Sequence, residues 1–207
     1  MTPARADEDE SIVPHFPDRA HAKLATHIRS TMITSSVVTL RARGFFDAYR
    51  ENLAPALRDV LPATVAGTWL PIERGIEHYE ACDRLRLPTA DLIAIGQSVG
   101  TRNTQSALSL AARLAARSGV TPWNILAQSR RLWDRAFQGS SIGVFKLGPK
   151  EARMEMIAWP LARIEYNRVS FRGIVRSLLR PFCTQAYVTE VSALHTPLAV
   201  GYRIAWA

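Results

Sequence analysis

Gly139-Ser140-Ser141-Ile142-Gly143 has the G-x-S-x-G spacing of a nucleophile elbow. In that motif a strand leads into the serine and a helix leaves it, so that Oγ stands exposed on a sharp turn. Here the order reverses: the residues before Gly139 read as helix and those after it as strand. His195 is the only late histidine that could serve as base. The pentapeptide is therefore expected to be a small-residue loop from helix to strand, without a catalytic role. Gly143 to Lys150 has the glycines of a phosphate loop, but a Walker loop needs Gly-Lys-Ser/Thr opening a helix. Pro149 removes a backbone donor at the critical place and a strand follows, which excludes that chemistry.

The histidines are His15, His21, His27, His78 and His195. None forms an i,i+4 metal pair, and no acidic partner sits at ligand spacing. His78 lies opposite the apolar stripe of its helix and is expected to be exposed. The two cysteines, Cys82 and Cys183, have neither metal spacing nor a disulfide framework. Both sit among apolar residues and are expected to be buried free thiols. The sequence therefore names no catalytic residue and no metal ligand.

The most distinctive chemical pattern is Arg168, Arg172, Arg176 and Arg180, one guanidinium every four residues. On a helix they form one slowly winding basic stripe. Phe171, Ile174, Val175, Leu178 and Phe182 occupy another arc, so the helix can bury one side and show the stripe on the other. Two readings stay open. The stripe is a solvated flank with local carboxylate pairs, or it binds phosphate, nucleic acid or an acidic protein. No aromatic residue interleaves it, which argues against stacked single strands.

The elements that must position these groups follow from composition and period. The chain has 207 residues, 47% of them hydrophobic and 21% charged, enough for one domain with a sizeable core. Its formal net charge is +8, and Asp7, Glu8, Asp9 and Glu10 concentrate negative charge in the first ten residues. The body is thus strongly basic and could attract nucleic acid, anionic lipid or an acidic protein. Residues 1–18, acidic and carrying Pro3, Pro14 and Pro17, are expected to be a disordered tail ahead of a single domain over 19–207. The acidic start does not suit a signal peptide, and no run approaches the ~20 apolar residues of a membrane span. A soluble, cytoplasmic protein is expected.

Residues 19–30 read as a short helix and Ser36 to Arg41 as a strand, followed by a helical stretch with Phe45, Phe46, Tyr49 and Leu53. Ile72, Ile76, Tyr79, Cys82 and Leu85 fall at spacings of four and three, one buried helical stripe after Pro71. Thr89 caps a helix expected to run to Arg117 and stop at Gly119. Thr121-Pro122 opens another, with Trp123, Leu126, Trp133 and Phe137 apolar, ending at Gly139. The period then changes to two. Ile142–Leu147 and Glu151–Trp159 flank a Gly148-Pro149-Lys150 turn and form a hairpin, with Ala152, Met154 and Met156 on one face and Arg153 and Glu155 on the other. A helix over about Leu161–Leu179 and two more strands close the chain. In the last strand Val200, Tyr202, Ile204 and Trp206 face inward. The fold class predicted is α+β: an N-terminal helical part, then a β-β-α-β-β unit with an antiparallel sheet.

Three stretches carry a resemblance: Ser36-Val37-Val38-Thr39-Leu40 leading to Gly44-Phe45-Phe46, the Trp69-Leu70-Pro71 helix start, and the closing β-β-α-β-β order. From about Ser35 to Ala207 the chain resembles a family of myxobacterial paralogues of about this length. Its end is also similar to haem nitric-oxide-binding domains and to vinyl-reductase-type small-molecule-binding domains. The resemblance implies a sensory module that encloses an apolar ligand between helices and sheet, or binds haem. The haem-binding relatives use a proximal histidine on the helix before the hairpin and a Tyr-x-Ser-x-Arg constellation near the helix after it. This chain has no histidine between His78 and His195, and Tyr166, Ser170 and Arg172 have the wrong spacing. Two distant cysteines likewise do not supply the cysteine-rich zinc site of the vinyl-reductase-type domains.

The expected function is a non-enzymatic sensory or regulatory domain without haem or other cofactor. A small apolar ligand would lie among Trp123, Trp133, Phe137, Met154, Met156, Phe171, Tyr202 and Trp206, residues on inward faces that would otherwise be ordinary core. The alternatives are a homodimeric or acidic-protein interaction module working through a sheet edge or the arginine stripe, and nucleic-acid binding through the basic body.

Overall fold

Apolar residues at every second position through 151–157 and 200–206 mark the central strands of the main sheet. In the computed structural model, which describes residues 10–16, 18–105 and 121–207, five strands run in the order β1 (Glu10–Val13), β5 (Ser141–Gly148), β6 (Glu151–Ile157), β8 (Val200–Trp206) and β7 (Ala186–Glu190). Every neighbouring pair is antiparallel. Met154 pairs with Val144 and Tyr202, and Met156 with Ile142 and Val200. These residues form a buried inner face, the hydrophobic-in arrangement of a one-sided sheet. A smaller sheet has the order β3 (Trp69–Pro71), β2 (His27–Arg29) and β4 (Phe137–Gln138).

The helices among the described residues are α1 (Ser30–Ala42), α2 (Phe46–Asn52), α3 (Ile72–Asp83), α4 (Thr89–Gln105), α5 (Pro122–Leu126), α6 (Ser129–Ala136) and α7 (Glu165–Leu179). The architecture is the predicted α+β type. α4 and α7 cross at very close range. A Cβ on Gly173 would collide with the Ile93 carbonyl oxygen, and one on Gly96 with the carbonyl oxygen of Ser170. Glycine at both positions lets the two backbones touch.

Four sequence expectations fail here. Ser36 to Arg41 is helix, the second half of α1: Ile33, Val37 and Leu40 are buried at spacings of four and three, while Val38 is exposed. The β-branched run had suggested a strand, but packing overrides that propensity. Within 19–30 no helix forms before Ser30: turn and irregular backbone over 19–26 lead into β2, whose Ile28 is fully buried between two strands. Disorder through residue 18 fails for Glu10–Val13, which pair with β5; Glu10 also meets Lys146 at 2.7 Å. The helix expected over 122–138 divides in two, because the Gln128 N–H reaches back three residues to Ile125 and tightens the turn; Phe137 then leaves into β4. The continuation of α4 to Arg117 and Gly119, and residues 1–9, lie outside the described residues. No helix among the described residues is long and apolar enough to cross a membrane.

Candidate functional site

The short helices α5 and α6 stand over the inner face of the sheet beside α7, and their packing leaves a partly open cavity of about 240 Å³. Ile125 and Leu126 of α5, Leu132 and Trp133 of α6, Phe137 of β4, Ile142 of β5 and Met154 of β6 form walls. Phe171, Ile174, Val175 and Leu178 of α7 supply another, and Thr31 and Met32 of α1 and Gly100 of α4 also line it. Among the described lining residues, Thr31, Ser129 and Arg135 carry the polar side chains. Apolar walls with a few polar groups are the usual form of a small-molecule site.

Four of the eight residues predicted to line a ligand pocket, Trp133, Phe137, Met154 and Phe171, meet in this wall. Their frame is aromatic. The Trp133 ring lies 4.6 Å from Phe137, 5.1 Å from Trp159 and 6.2 Å from Phe171. The Trp133 Nε1–H donates to Ser140 Oγ at 2.8 Å, which fixes the indole against the turn between β4 and β5. Trp159, fully buried behind this frame, was not singled out in the sequence, where it only ended a strand; its Nε1 has no hydrogen-bond partner. Met156 and Tyr202 are buried elsewhere in the core, with the Tyr202 hydroxyl donating to Arg168 O at 2.9 Å. Trp123 and Trp206 pair edge to face at 4.9 Å at the hairpin end, and Trp123 Nε1–H donates to Pro149 O. The structure does not bring these four to the cavity.

The arginine stripe runs along the flank of α7 that meets β7, the edge of the sheet. Arg168 Nε donates to Glu190 at 3.1 Å and its Nη1 to Ala162 O at 3.0 Å. Arg172 Nε donates to Val188 O at 3.0 Å, tying the helix to the edge strand. Arg176 Nε is buried without a partner, and burial together with the neighbouring Arg172 charge lowers its pKa. Arg180 is exposed at the start of a 3₁₀ turn, Arg180–Phe182. Half of the stripe thus has a structural occupation.

Two polar clusters lie outside the cavity. The first is inside the helical layer. His78, expected on the surface, is fully buried, because α3 is covered on two sides. Its Nδ1 is 2.8 Å from the Tyr49 hydroxyl and its Nε2 is 3.8 Å from Cys82 Sγ. Burial lowers its pKa to about 3 and raises the pKa of the Cys82 thiol.

The second is on the outer face of the sheet, where Ser141, His15 and Glu155 assemble the residue types of a hydrolase triad. Glu155 Oε2 lies 3.4 Å from His15 Nε2 and 2.8 Å from Arg19, and Oε1 lies 2.7 Å from Arg153 Nε. Burial would raise the Glu155 carboxyl, but the bonds from His15 and Arg153 and the charges of Arg19 and Arg153 hold it below its ordinary value. Ser141 Oγ accepts the Phe16 N–H at 2.6 Å, and His15 Nδ1 is buried without a partner. A nucleophile–base pair needs a hydrogen bond between Oγ and the ring nitrogen, and none forms. A strand leaves the loop, as predicted, but what enters it is the two-residue β4 that follows α6 and not the helix itself; no helix follows the serine, as an elbow would need.

No family model and no curated protein matches the chain. Solved structures do. An Fe(II) unliganded H-NOX protein from K. algicida matches with a TM-score of 0.59 and 10% identity, covering 87% of this chain and 97% of that one. An oxygen-binding H-NOX domain related to soluble guanylate cyclases matches with a TM-score of 0.56 and 12% identity over 86% and 95%. A structure from work on heme distortion in the H-NOX family gives 0.56 and 14% over the same shares. At such identities the likeness establishes the fold: this chain has an H-NOX-like architecture.

Haem is the group this fold implies. A haem iron needs an axial His, Cys, Met or Tyr. None of the described lining residues is His, Cys or Tyr, and residues 103–120 contain none of the four types. Met32 and Met154 supply only thioethers, which serve beside a histidine. The residues present do not fit a haem.

Proposed function

We propose that the chain is a non-enzymatic sensory or regulatory domain of H-NOX-like fold that binds a small apolar ligand, without haem, between α5, α6, α7 and the sheet. The observation that carries this is the aromatic and methionine-lined cavity of about 240 Å³. An enclosed apolar cavity of about 150 Å³ takes up benzene, and this partly open one has room for a body of that size. Some of the matched structures are described as heme proteins; here an apolar body would replace the porphyrin, and Ser129 and Arg135 would meet any polar end. Kinship with the myxobacterial paralogues and the vinyl-reductase-type domains, and a cytoplasmic site of action, belong to the same reading.

Native mass spectrometry of freshly purified protein tests it, reporting a retained small molecule and the subunit count together. Toluene serves as a defined probe. At tenfold over its Kd it is expected to add about 1.4 kcal/mol and raise Tm by about 3–5 °C. Leu132→Trp, which fills the cavity from α6, is expected to abolish that shift. A protein that carries no ligand and shows no Tm response to toluene would refute the reading.

A second reading, an anion- or partner-binding edge, is favoured by one observation, the buried and partnerless Arg176 Nε. It places an acidic protein, a second copy of the chain or a nucleic-acid phosphate against Arg172, Arg176 and Arg180. It predicts steep salt dependence, and Arg176→Gln should remove the binding.

A further inference from the structure

We propose that Glu10–Phe16, together with Arg19, forms a clasp on the outer face of the sheet, and that its hold reports occupancy of the cavity on the inner face. The inference rests on the ligand-binding reading above.

The seat is built for this segment. Ser141 Oγ accepts the Phe16 N–H at 2.6 Å, and the buried Glu155 carboxylate gathers Arg19 and His15 from the segment and Arg153 from its own strand. Gly143 leaves the hollow in which the imidazole lies: a Cβ there would come within 2.8 Å of His15 Nε2. The small residues that spell the elbow motif thus have another use, as an acceptor and a vacancy for the incoming segment. Arg130 of α6 closes the clasp from the side. It donates to Pro14 O, and its guanidinium carbon lies 5.1 Å from the centre of the Phe16 ring.

The same elements wall the cavity. In β5, Ile142 faces the cavity between Ser141 and Gly143, which face the clasp. In β6, Met154 faces the cavity between Arg153 and Glu155. The eight-residue helix α6 presents Leu132 and Trp133 to the cavity and Arg130 to the clasp. A helix standing over a void lacks contacts on that side. A ligand supplies them, holds α6 in place and so keeps Arg130 on Pro14. Occupancy therefore tightens the clasp, and by reciprocity a loosened clasp weakens ligand binding.

The experiment is hydrogen exchange of the Phe16 amide in the full chain, read by NMR, with Tm followed in parallel and toluene as the probe. Toluene is expected to raise Tm and slow Phe16 exchange at least about threefold in the wild type. Glu155→Gln is expected to speed that exchange about tenfold without toluene; Arg19→Gln, at a more exposed position, is a second variant that does not disturb the central strand. Arg130→Gln should keep the Tm response but lose the exchange response. If toluene raises Tm and Phe16 exchange does not change, the coupling is wrong and the cavity reading stands. If toluene changes neither, both fall. If Glu155→Gln and Arg19→Gln both exchange at the wild-type rate, the clasp is not held as described.

Discussion

Gly173→Ala is expected to lower the stability of the protein by more than about 3 kcal/mol and to shift its urea midpoint well below that of the wild type. Helix propensity predicts the opposite. Alanine in place of a mid-helix glycine favours the helix by about 1 kcal/mol. The added methyl, however, has no room. It would overlap the Ile93 carbonyl oxygen and crowd the Gln97 amide nitrogen of α4. Both are backbone atoms, so no side chain can turn aside, and the two helices must separate. The seam they form runs along most of α4, with Gly96 and Gly100 of that helix seated against Ser170 and Ile174 of α7. Separation would loosen packing along the whole contact, a larger loss than one clash. Gly148→Ala is the control. Its Cβ would meet only the Glu151 Cβ at 3.8 Å, an ordinary contact, and stability should stay within about 0.5 kcal/mol. A Gly173→Ala protein as stable as the control would mean that the helices do not cross this closely.

The seam also matters for the site, because α7 presents opposite sides to different neighbours. Gly173 touches α4, while Phe171, Ile174, Val175 and Leu178 wall the cavity. The arginines at 168 and 172 tie the third side to β7 and Glu190. The position of the cavity wall is therefore set by backbone contact on one flank and hydrogen bonds on another. A ligand can move α5 and α6 more easily than α7.

The β half of this fold was legible because its signal is local. Residues 151–157 alternate cleanly after a Gly-Pro-Lys turn, and the hairpin register pairs Met154 with Val144 on the apolar face. The N-terminal half was harder for a physical reason. Val37 and Val38 favour a strand by type, and the helical stripe of Ile33, Val37 and Leu40 is short and shared with polar Ser36 and Thr39. Tertiary packing decided that segment. Only half of the predicted lining residues border the cavity, for a related reason: inward-facing aromatic and methionine positions identify core, but not which core residues border a void. Trp133 and Phe171 border it, while Tyr202 and Met156 are fully packed. The clasp had a signal that went unread. Glu155 stands on the second hairpin strand at the face opposite Met154 and Met156, and Gly143 is its cross-strand partner. A carboxylate beside a glycine in mid-sheet invites a covering segment, but which segment covers it depends on the path of residues 10–19.

His78 should make the protein lose roughly 2 kcal/mol of stability between pH 7 and pH 5, and roughly 3 kcal/mol by pH 4. The sign follows from the two states. The unfolded chain takes up a proton on this ring below its ordinary pKa of 6.5, whereas burial lowers the folded value to about 3. Between those two values the unfolded state binds one more proton, so stability falls as pH falls. Below about pH 3 both states are protonated and this contribution stops changing. The ring has reason to stay neutral. Tyr49 from α2 and Tyr79 and Cys82 from its own helix pack around it, and none of them carries a charge near neutral pH. In the tautomer that accepts the Tyr49 hydroxyl at Nδ1, the Nε2–H points to Cys82 Sγ, and an added proton at Nδ1 would lose that bond. His78→Gln separates this effect from the titration of surface groups. The variant is expected to be less stable at pH 7 by about 1–3 kcal/mol, through the disturbed Tyr49 bond, yet to change little between pH 7 and pH 5. Urea midpoints of both proteins at pH 7, 6 and 5 make the comparison. The NMR signal of the His78 ring gives the direct reading: it should hold its neutral shift at pH 5, and a midpoint near 6.5 would show that the ring reaches water.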